Sequence, residues 1–247
     1  MKKVLGVKLL RKIDALTAYY VANRSLFNRS LINLEGYVKD SPTLNSLIHS
    51  TKFRTKEPDH LKDKLIRKAI KAAEQGQEFA ITPENLFVVI NDLAGYRILH
   101  LHTTQFQEID VELKRIFAEE AWTIIEGPTA RTWDDESREY FSSIGTTTLP
   151  HPNLYTSVHY VIQPNSKITC ELQVRTLMEE VWGEVDHTIN YPHKTDSVAC
   201  KEQIKALARA TSTCSRLVDS IFTSYRDYQT TSNLASSKTK KTPPKKR

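Results

Sequence analysis

Two acidic residues of the sequence lie where a solvent-exposed acid is not expected. Asp92 directly follows the apolar run LFVVI, and Glu171 begins the polar face of the segment CELQVRT. Two carboxylates that converge at a sheet edge supply the hard oxygen ligands that suit Mg²⁺ bound to nucleotide phosphates. A structural interpretation also fits, in which Asp92 caps the following turn and Glu171 pairs with a neighbouring base. Spacing along the chain alone favours that structural interpretation.

A group of basic residues lies on both sides of Asp92 in the sequence. Arg54, Lys56, Lys64 and Arg67 precede it, and Arg97 follows the turn after it. Guanidinium groups fork onto phosphate oxygens and a lysine acts as a point charge, so this set suits a triphosphate. The flat guanidinium of Arg54 would also stack on a purine. The alternative is a solvated charged face, which is the usual role of such a run.

Polar groups recur at alternate positions in two segments that read as strands. A period of two places Glu171 and Gln173 on one face of CELQVRT, and it places Tyr155, Ser157 and His159 on one face of YTSVHY. An aromatic ring, a hydroxyl and an imidazole on one face can stack on a nucleobase and hydrogen-bond to it. Tyrosine and histidine in strands are equally often ordinary half-buried residues.

The hydrophobic pattern predicts the elements that would position these residues. Helical spacing is found over about 8–35, 58–75, 105–118, 176–190 and 198–228. Two short apolar runs, 86–90 and 96–101, lie either side of Asp92 and Gly95, and this region predicts one strand. The segment AWTIIEG and two strands joined by Asn165-Ser166 complete the predicted sheet. Residues 127–153 are rich in Thr, Ser, Pro and charge, which predicts a long loop. The order of elements predicts an α/β or α+β fold, with a mixed β-sheet flanked by N- and C-terminal helices.

Composition excludes several classes of protein. The chain has 247 residues and 39% hydrophobic residues, and no apolar run approaches the roughly 20 residues that span a bilayer. Three widely spaced cysteines fit reduced thiols in the cytoplasm, not disulfides or a structural zinc site. The net charge of +6 resides in residues 238–247, which carry six bases; the remainder has 29 bases and 29 acids. Contact with RNA through charge is therefore expected only from this tail.

Several catalytic motifs are missing from the sequence. No G-x-S-x-G elbow, H-E-x-x-H zinc motif or P-loop occurs. Glu184 and His187 have the Glu-x-x-His spacing of a di-iron bundle, but that site requires a second copy, which the sequence lacks. We therefore interpret this pair as packing and hydrogen-bonding residues.

Four ordered motifs resemble the RelA/SpoT-type alarmone synthetase domain. NDLAGYRI, YTSVH and CELQVRTLMEEVWGEVDHTINY follow the family's order, and RTKEPDHLKDKLIRK is similar to its upstream nucleotide-binding segment. The resemblance covers roughly residues 50–192. It implies an N-terminal helical region over 1–50, a synthetase domain over 51–192, a C-terminal helix over 193–230 and a disordered basic tail over 231–247. No motif of the family's hydrolase domain accompanies it, which implies a stand-alone, synthetase-only form.

The resemblance implies a reaction and a set of roles. The β,γ-pyrophosphate of ATP would pass to the 3′-hydroxyl of GDP or GTP. Asp92 would hold Mg²⁺, and Glu171 would assist it or orient and activate the acceptor hydroxyl. The residues implied for ATP binding are Arg54, Lys56, Lys64, Arg67 and Arg97. Those implied for acceptor binding are Tyr155, which would stack on the base, His159 and Gln173.

The sequence departs from the family pattern around the acceptor. Leu154 stands where the family has glycine, Thr156 where it has arginine, and His151 where it usually has lysine. The family's Glu-His pair becomes Asp186-His187. We expect the two bases lost at positions 151 and 156 to bind the acceptor's phosphates in the family. Their loss affects the identity of the acceptor more than the type of reaction.

Two alternatives remain open at the level of sequence. Some short relatives are toxins that pyrophosphorylate the 3′ end of tRNA, and lost acceptor bases with a basic tail fit such an acceptor. An inactive nucleotide- or RNA-binding module is the second alternative, although a module that only binds has little need of both Asp92 and Glu171. A cytoplasmic location, a possible homo-oligomer and the absence of membrane partners complete these expectations.

Overall fold

The computed structural model describes residues 6–151, 154–164, 168–190 and 194–239. The helices are α1 (Val7–Asp40), α2 (Pro42–Leu47), α3 (Pro58–Glu74), α4 (Leu86–Val89), α5 (Phe106–Glu119), α6 (Asp135–Ser143), α7 (Leu177–Asn190) and α8 (Val198–Thr239). The strands are β1 (Ile48–Thr55), β2 (Ala94–His100), β3 (Thr123–Thr132), β4 (Thr147–Pro150), β5 (Thr156–Gln163) and β6 (Cys170–Thr176). A 3₁₀ turn, Thr103–Gln105, precedes α5.

The strands form one six-stranded mixed sheet in the order β1-β2-β6-β5-β3-β4. The pairs β2–β6 and β3–β4 are parallel, and β1–β2, β6–β5 and β5–β3 are antiparallel. The prediction of a mixed α/β fold with flanking helices is therefore confirmed. The two residues predicted to form the hairpin turn between β5 and β6, Asn165 and Ser166, lie outside the described residues.

One face of the sheet is apolar and covered by helices, and the polar residues of the central strands lie on the other face. Tyr96 and Ile98 of β2, and Leu172 and Val174 of β6, are buried together with the core side of α1. In α1, buried residues recur every three or four positions, as expected for a helix that packs along one stripe: Ile13, Leu16, Tyr20, Phe27, Leu31, Leu34 and Val38. Alternation in the strands then turns the intervening polar residues to the opposite face.

The prediction of a long loop over residues 127–153 is wrong. This segment contains the end of β3, all of α6 and the short strand β4. Asp134 caps α6, since its side chain accepts from the Ser137 backbone N–H at 3.1 Å. The threonines of this segment are β-branched and therefore fit a pleated strand. Because threonine is polar, these strands show no apolar periodicity by which the sequence could reveal them.

Two further elements differ from the sequence prediction. Strand β1 was interpreted only as a cluster of bases, because this edge strand has a largely exposed surface and lacks an apolar alternation. Helix α8, predicted to end near residue 228, continues to Thr239 and so includes the start of the segment expected to be disordered. Residues 240–247, which hold most of the basic tail, lie outside the described residues. The proposed domain boundaries stay predictions.

Helices α7 and α8 pack together beside the polar face of the sheet. The Trp182 indole N–H donates to the Ile204 carbonyl at 3.1 Å, and both residues are buried. Further along α8, Asp219 accepts from the backbone N–H groups of Thr103 and Thr104, at 3.1 and 3.0 Å. These contacts hold α8 against the sheet at two separate places. Within the described residues, no helix has the length and apolar character needed to cross a bilayer.

Candidate active site

Strand register brings the predicted polar residues onto one face of the sheet. Arg54 of β1 pairs with Gly95 of β2, which in turn pairs with Glu171 of β6. Two residues further along these strands, Arg97 pairs with Gln173, and Gln173 pairs with His159 of β5. Residues far apart in sequence therefore form adjacent rows, because paired strand positions share a face.

Asp92 lies in the turn just before β2, between two lysines. Its carboxylate accepts from the Lys56 ammonium at 2.8 Å and from the Lys64 ammonium at 2.7 Å. The backbone fixes this arrangement, since the Lys56 N–H donates to the Leu93 carbonyl at 2.9 Å and the Tyr20 hydroxyl donates to the Lys56 carbonyl at 2.7 Å. The alternative that Asp92 merely caps a turn is not what the structure shows.

The protonation state of Asp92 follows from these neighbours. Burial opposes ionisation, but the charges and hydrogen bonds of Lys56 and Lys64 outweigh it, so the pKa of Asp92 lies below its ordinary value. The carboxylate is therefore charged at neutral pH. The Asp92 carboxylate could serve as an oxygen ligand when Lys56 and Lys64 bind other anions in its place.

Glu171 is connected to a histidine and a tyrosine. Its carboxylate lies 3.0 Å from Nδ1 of His159, and Nε2 of His159 lies 3.1 Å from the Tyr155 hydroxyl. Burial opposes ionisation of Glu171, yet the hydrogen bond from His159 keeps its pKa below the ordinary value. The two ring nitrogens of His159 therefore have different partners, with Nδ1 facing the Glu171 carboxylate and Nε2 facing the Tyr155 hydroxyl.

Gln173 carries an unsatisfied acceptor. Its side-chain oxygen is buried and has no hydrogen-bond partner among the described residues. A buried carbonyl oxygen without a donor costs stability, so such atoms in a cavity wall indicate a ligand donor. Gln173 lines both cavities of the site.

Two arginines of the site are held by glutamates of α7. Arg97 donates to Glu180 at 3.2 Å and to Glu184 at 2.6 Å, and buried Arg175 pairs with the same Glu180. Lys52 adds a third cation to Glu180 at 2.9 Å. This carboxylate is 7% exposed in its side chain, so it ties three strands of the sheet to α7 through charge-assisted hydrogen bonds.

Gly183 allows α7 to approach Arg175 closely. A Cβ at this position would lie 2.7 Å from one guanidinium nitrogen of Arg175, which is closer than real contacts allow. Arg175 is itself buried and paired, so it has little freedom to move away. The glycine in the middle of a helix is therefore explained by the arginine beneath it.

Two cavities meet at this face of the sheet. The first, which we name the donor cavity after the ATP-binding residues predicted from sequence, has a volume of about 410 Å³ and is lined by Asp92, Glu171, Arg54 and Arg97. The second, which we name the acceptor cavity after the acceptor-binding residues predicted from sequence, has a volume of about 380 Å³ and is lined by Tyr155 and His159 among others. Arg97, Gln173 and His187 line both cavities, so the two are contiguous.

Most of the residues chosen from sequence lie at these cavities. Lys56 and Lys64 reach the donor cavity through their bonds to Asp92. Arg67 does not: it is exposed on α3 and lines neither cavity. The functional roles of all these residues stay predictions.

The expectation about the two lost bases needs correction at one position. Thr156 is buried and faces away from both cavities, with its hydroxyl 2.9 Å from that of Thr132. A base at position 156 would not point along the cavity wall. His151 does line the acceptor cavity. Leu154, where the family has glycine, keeps a left-handed backbone with φ of 54°.

Sequence reasoning missed three groups that line or organise the site. Arg131 of β3 and Lys194, which follows α7, line the acceptor cavity. Glu180 organises the arginines. Arg131 and Lys194 belong to no motif, and only the tertiary structure brings them to the cavity. Acids in the first turn of α7 were the available signal for Glu180.

The comparisons with known proteins place the chain in a family. The model of a "Region found in RelA / SpoT proteins" matches residues 53–196, so the chain belongs to the RelA/SpoT family. No relative is found among curated protein sequences.

Solved structures share the fold at low identity. A GTP pyrophosphokinase family protein from Streptococcus pneumoniae is 20% identical, with a TM-score of 0.60 over 91% of this chain and 98% of that one. The small alarmone synthetase 1 of Bacillus subtilis is 18% identical, with a TM-score of 0.57 over 87% and 99%. The same Bacillus subtilis protein bound to AMPCPP is 16% identical in the alignment, with a TM-score of 0.52 over 85% and 98%.

Proposed function

We propose that the protein transfers the β,γ-pyrophosphate of ATP to the 3′-hydroxyl of GDP or GTP. One observation carries this proposal: Asp92 and Glu171, 79 positions apart in sequence, line the same cavity. The two acids have different partners, since Asp92 is bound by two lysines and Glu171 by His159, whose other ring nitrogen faces the Tyr155 hydroxyl. Bacillus subtilis small alarmone synthetase 1 has been solved bound to AMPCPP and to its product pppGpp, which supports nucleotides on both sides.

The donor half suits a nucleoside triphosphate. Lys56 and Lys64 lie beside Asp92, and Arg54 is an exposed cation in the cavity wall without an ion pair among the described residues. Phosphate oxygens would exchange with the Asp92 carboxylate as partners of the lysines. Arg54 would then stack on the adenine or bind a phosphate.

The acceptor half suits a nucleoside whose 3′-oxygen approaches Glu171. Tyr155 presents an aromatic ring within the acceptor cavity, near His159 and Trp182. The unsatisfied oxygen of Gln173 would accept a hydrogen bond from an N–H or O–H of the acceptor.

The chemistry consists of positioning and charge stabilisation. The acceptor 3′-oxygen forms a bond to the β-phosphorus, the bond from that phosphorus to the bridging α,β-oxygen breaks, and AMP leaves. Glu171, ionised at neutral pH, accepts a hydrogen bond from the 3′-hydroxyl and takes its proton as the bond forms. His159 holds Glu171 in place and stabilises its charge. Cations around the phosphates offset the charge that develops on the oxygens.

The two acids fit a magnesium ion in the chemistry of their oxygens. Asp92 and Glu171 would hold Mg²⁺, which would neutralise phosphate charge when bound. Among the described residues, no group of three or more His, Cys, Asp or Glu side chains forms a metal site, so substrate oxygens would complete the coordination. Magnesium usually keeps such a small set of protein ligands.

A labelled-transfer assay tests the function. Purified protein, Mg²⁺ and γ-labelled ATP are incubated in parallel with GDP, GTP, other nucleotides and deacylated tRNA. We expect label on GDP or GTP, and none with Glu171→Gln. Label on tRNA alone would replace the proposed acceptor, and no transfer to any acceptor would favour a binding module.

A further inference from the structure

The acceptor cavity contains four cationic side chains, which differ in whether an acid already binds them. Arg97 and Arg175 are paired with Glu180, and Arg97 also with Glu184. Arg131 and Lys194 have no ion pair or side-chain hydrogen bond with any residue in the described ranges, and both are exposed. Asp186, the carboxylate that also lines this cavity, accepts from the Asn190 amide at 2.8 Å and lies beyond salt-bridge distance of both.

The register of β3 fixes where Arg131 lies relative to the reacting groups. Thr129 pairs with His159, and Arg131 pairs with Ser157, two positions along the same strand. Two positions in a strand span roughly 6.6 Å, and both point to the same face. Arg131 is therefore displaced from His159 and Glu171 along the cavity wall.

The geometry of a nucleotide fits this displacement. In a ribose the 3′- and 5′-oxygens lie on opposite sides of the ring. When the 3′-hydroxyl faces Glu171, the 5′-phosphates extend away from it. The exposed guanidinium of Arg131, two strand positions from the partner of His159, and the ammonium of Lys194 in the same cavity are groups that bind such phosphates.

We propose that Arg131 and Lys194 together bind the 5′-phosphates of the acceptor nucleotide, and so take the place of the basic residue that His151 replaces. This inference rests on the proposed function for the identity of the acceptor. It assigns the preference for a phosphorylated acceptor over a nucleoside to two residues outside the family motifs. Neither residue touches the transferred group.

The inference is tested by comparing the binding of GDP and of guanosine. Isothermal titration calorimetry would measure both ligands with wild type, Arg131→Gln and Lys194→Gln. We expect each variant to weaken GDP binding about tenfold, the usual effect of losing a charge-assisted hydrogen bond. Guanosine binding should change by less than about twofold, because guanosine lacks the phosphates. In the transfer assay, KM should rise for GDP and stay unchanged for ATP.

Lys201→Gln is the matched control. Lys201 is an exposed lysine of α8 that lines a neighbouring recess between α7 and α8, and it does not line the acceptor cavity. Its loss changes the net charge equally, so it reports any long-range electrostatic effect. The proposal is overturned when Arg131→Gln and Lys194→Gln affect GDP no more than Lys201→Gln does, or affect guanosine as strongly as GDP.

The two proposals fail in distinguishable ways. Transfer to GDP by wild type, with unchanged GDP affinity in the variants, overturns this inference and leaves the proposed function standing. A phosphate-dependent loss of GDP binding in the variants, without transfer by wild type, overturns the proposed function and leaves the subsite standing.

Discussion

The donor and acceptor halves of the site differ in how their charges are balanced. In the donor half, Asp92 is bound by Lys56 and Lys64, so the acid and its cations neutralise one another. In the acceptor half, Glu171 is bound by His159, while Arg131 and Lys194 have no acidic partner among the described residues.

The halves also differ in how they are assembled. Residues 53–97 supply Arg54, Lys56, Lys64, Asp92 and Arg97 to the donor half. The acceptor half draws on β3, β5, β6 and α7 and on Lys194. Residues from one local segment form a motif that can be recognised in sequence. In a cavity formed by several elements, single residues can be substituted while the shape of the cavity is kept. The departures from the family pattern are found around the acceptor half.

The largest expected effect comes from the two acids. Asp92→Asn and Glu171→Gln should each lower the transfer rate by about 10³-fold or more, because each removes a charge that acts on the reacting groups. Single-turnover transfer with labelled ATP measures this loss. Thermal unfolding serves as the control, and a small change in the melting temperature shows that the fold is retained. A variant that retains activity would contradict the role of its acid.

A smaller effect, confined to the acceptor half, is expected from Gly183→Ala. The new Cβ meets Arg175, so kcat/KM for GDP should fall by about tenfold to a hundredfold while KM for ATP stays unchanged. Steady-state kinetics with each substrate varied in turn checks this. Gly36→Ala is the control: it lies in α1, where an added methyl group would contact no other atom, and alanine there should stabilise the helix by about 0.5–1 kcal/mol. Equal effects on the two substrates would contradict a separate acceptor half.

Two acids near the site, Glu179 of α7 and Asp92, should respond to pH in opposite directions. Burial raises the pKa of Glu179 to about 8 from its ordinary value of 4.5, with Arg175 acting the other way. The folded protein keeps this proton where the unfolded chain loses it, so stability falls as pH rises from about 4.5 to about 8. The pKa of Asp92 is lowered instead, so its contribution is present at neutral pH and lost only in acid.

Denaturant unfolding at several pH values separates these contributions. Glu179→Gln should remove a decline of at most about 1.4 kcal/mol per pH unit between pH 6 and 8. An identical pH dependence in wild type and Glu179→Gln would show that Glu179 is ionised in the folded protein.

The smallest expected effect concerns the backbone at Leu154. Its left-handed conformation costs a non-glycine residue about 1 kcal/mol, and its side chain packs against Trp182 and Ile204. Leu154→Ala loses the packing and keeps the strain, so it should be less stable than Leu154→Gly by about 1 kcal/mol. Ala121→Gly is the control: Ala121 is exposed, has the same φ of 54°, and should become more stable on substitution. Denaturant unfolding measures both, and greater stability of Leu154→Ala would contradict the strain.

The sequence was sufficient to predict most helices and the residues that lie at the donor half, with the exception of Arg67, which lies away from it. Long amphipathic helices such as α1 and α5 can be recognised from the spacing of their apolar residues alone. Asp92 can be recognised because it is an acid that directly follows an apolar run. Strands β1 and β4 were missed because an exposed or four-residue strand shows little periodicity. Arg131 and Lys194 could not be chosen, since nothing local distinguishes them from other surface cations. The period of two that places Tyr155, Ser157 and His159 on one face already places Thr156 on the other, so the orientation of Thr156 could be predicted from sequence.

The position of β1 at the edge of the sheet has a consequence for solubility. An edge strand offers unpaired backbone groups to other chains, and charged side chains protect against such pairing. The opposite edge, β4, has four residues and ends at Pro150, whereas β1 has eight and carries Lys52 and Arg54. Lys52 and Arg54 therefore place charge on an exposed sheet edge, which disfavours pairing with another strand, and they also line the donor cavity. Replacing Arg54 with an apolar residue should promote aggregation even under conditions in which no nucleotide is present.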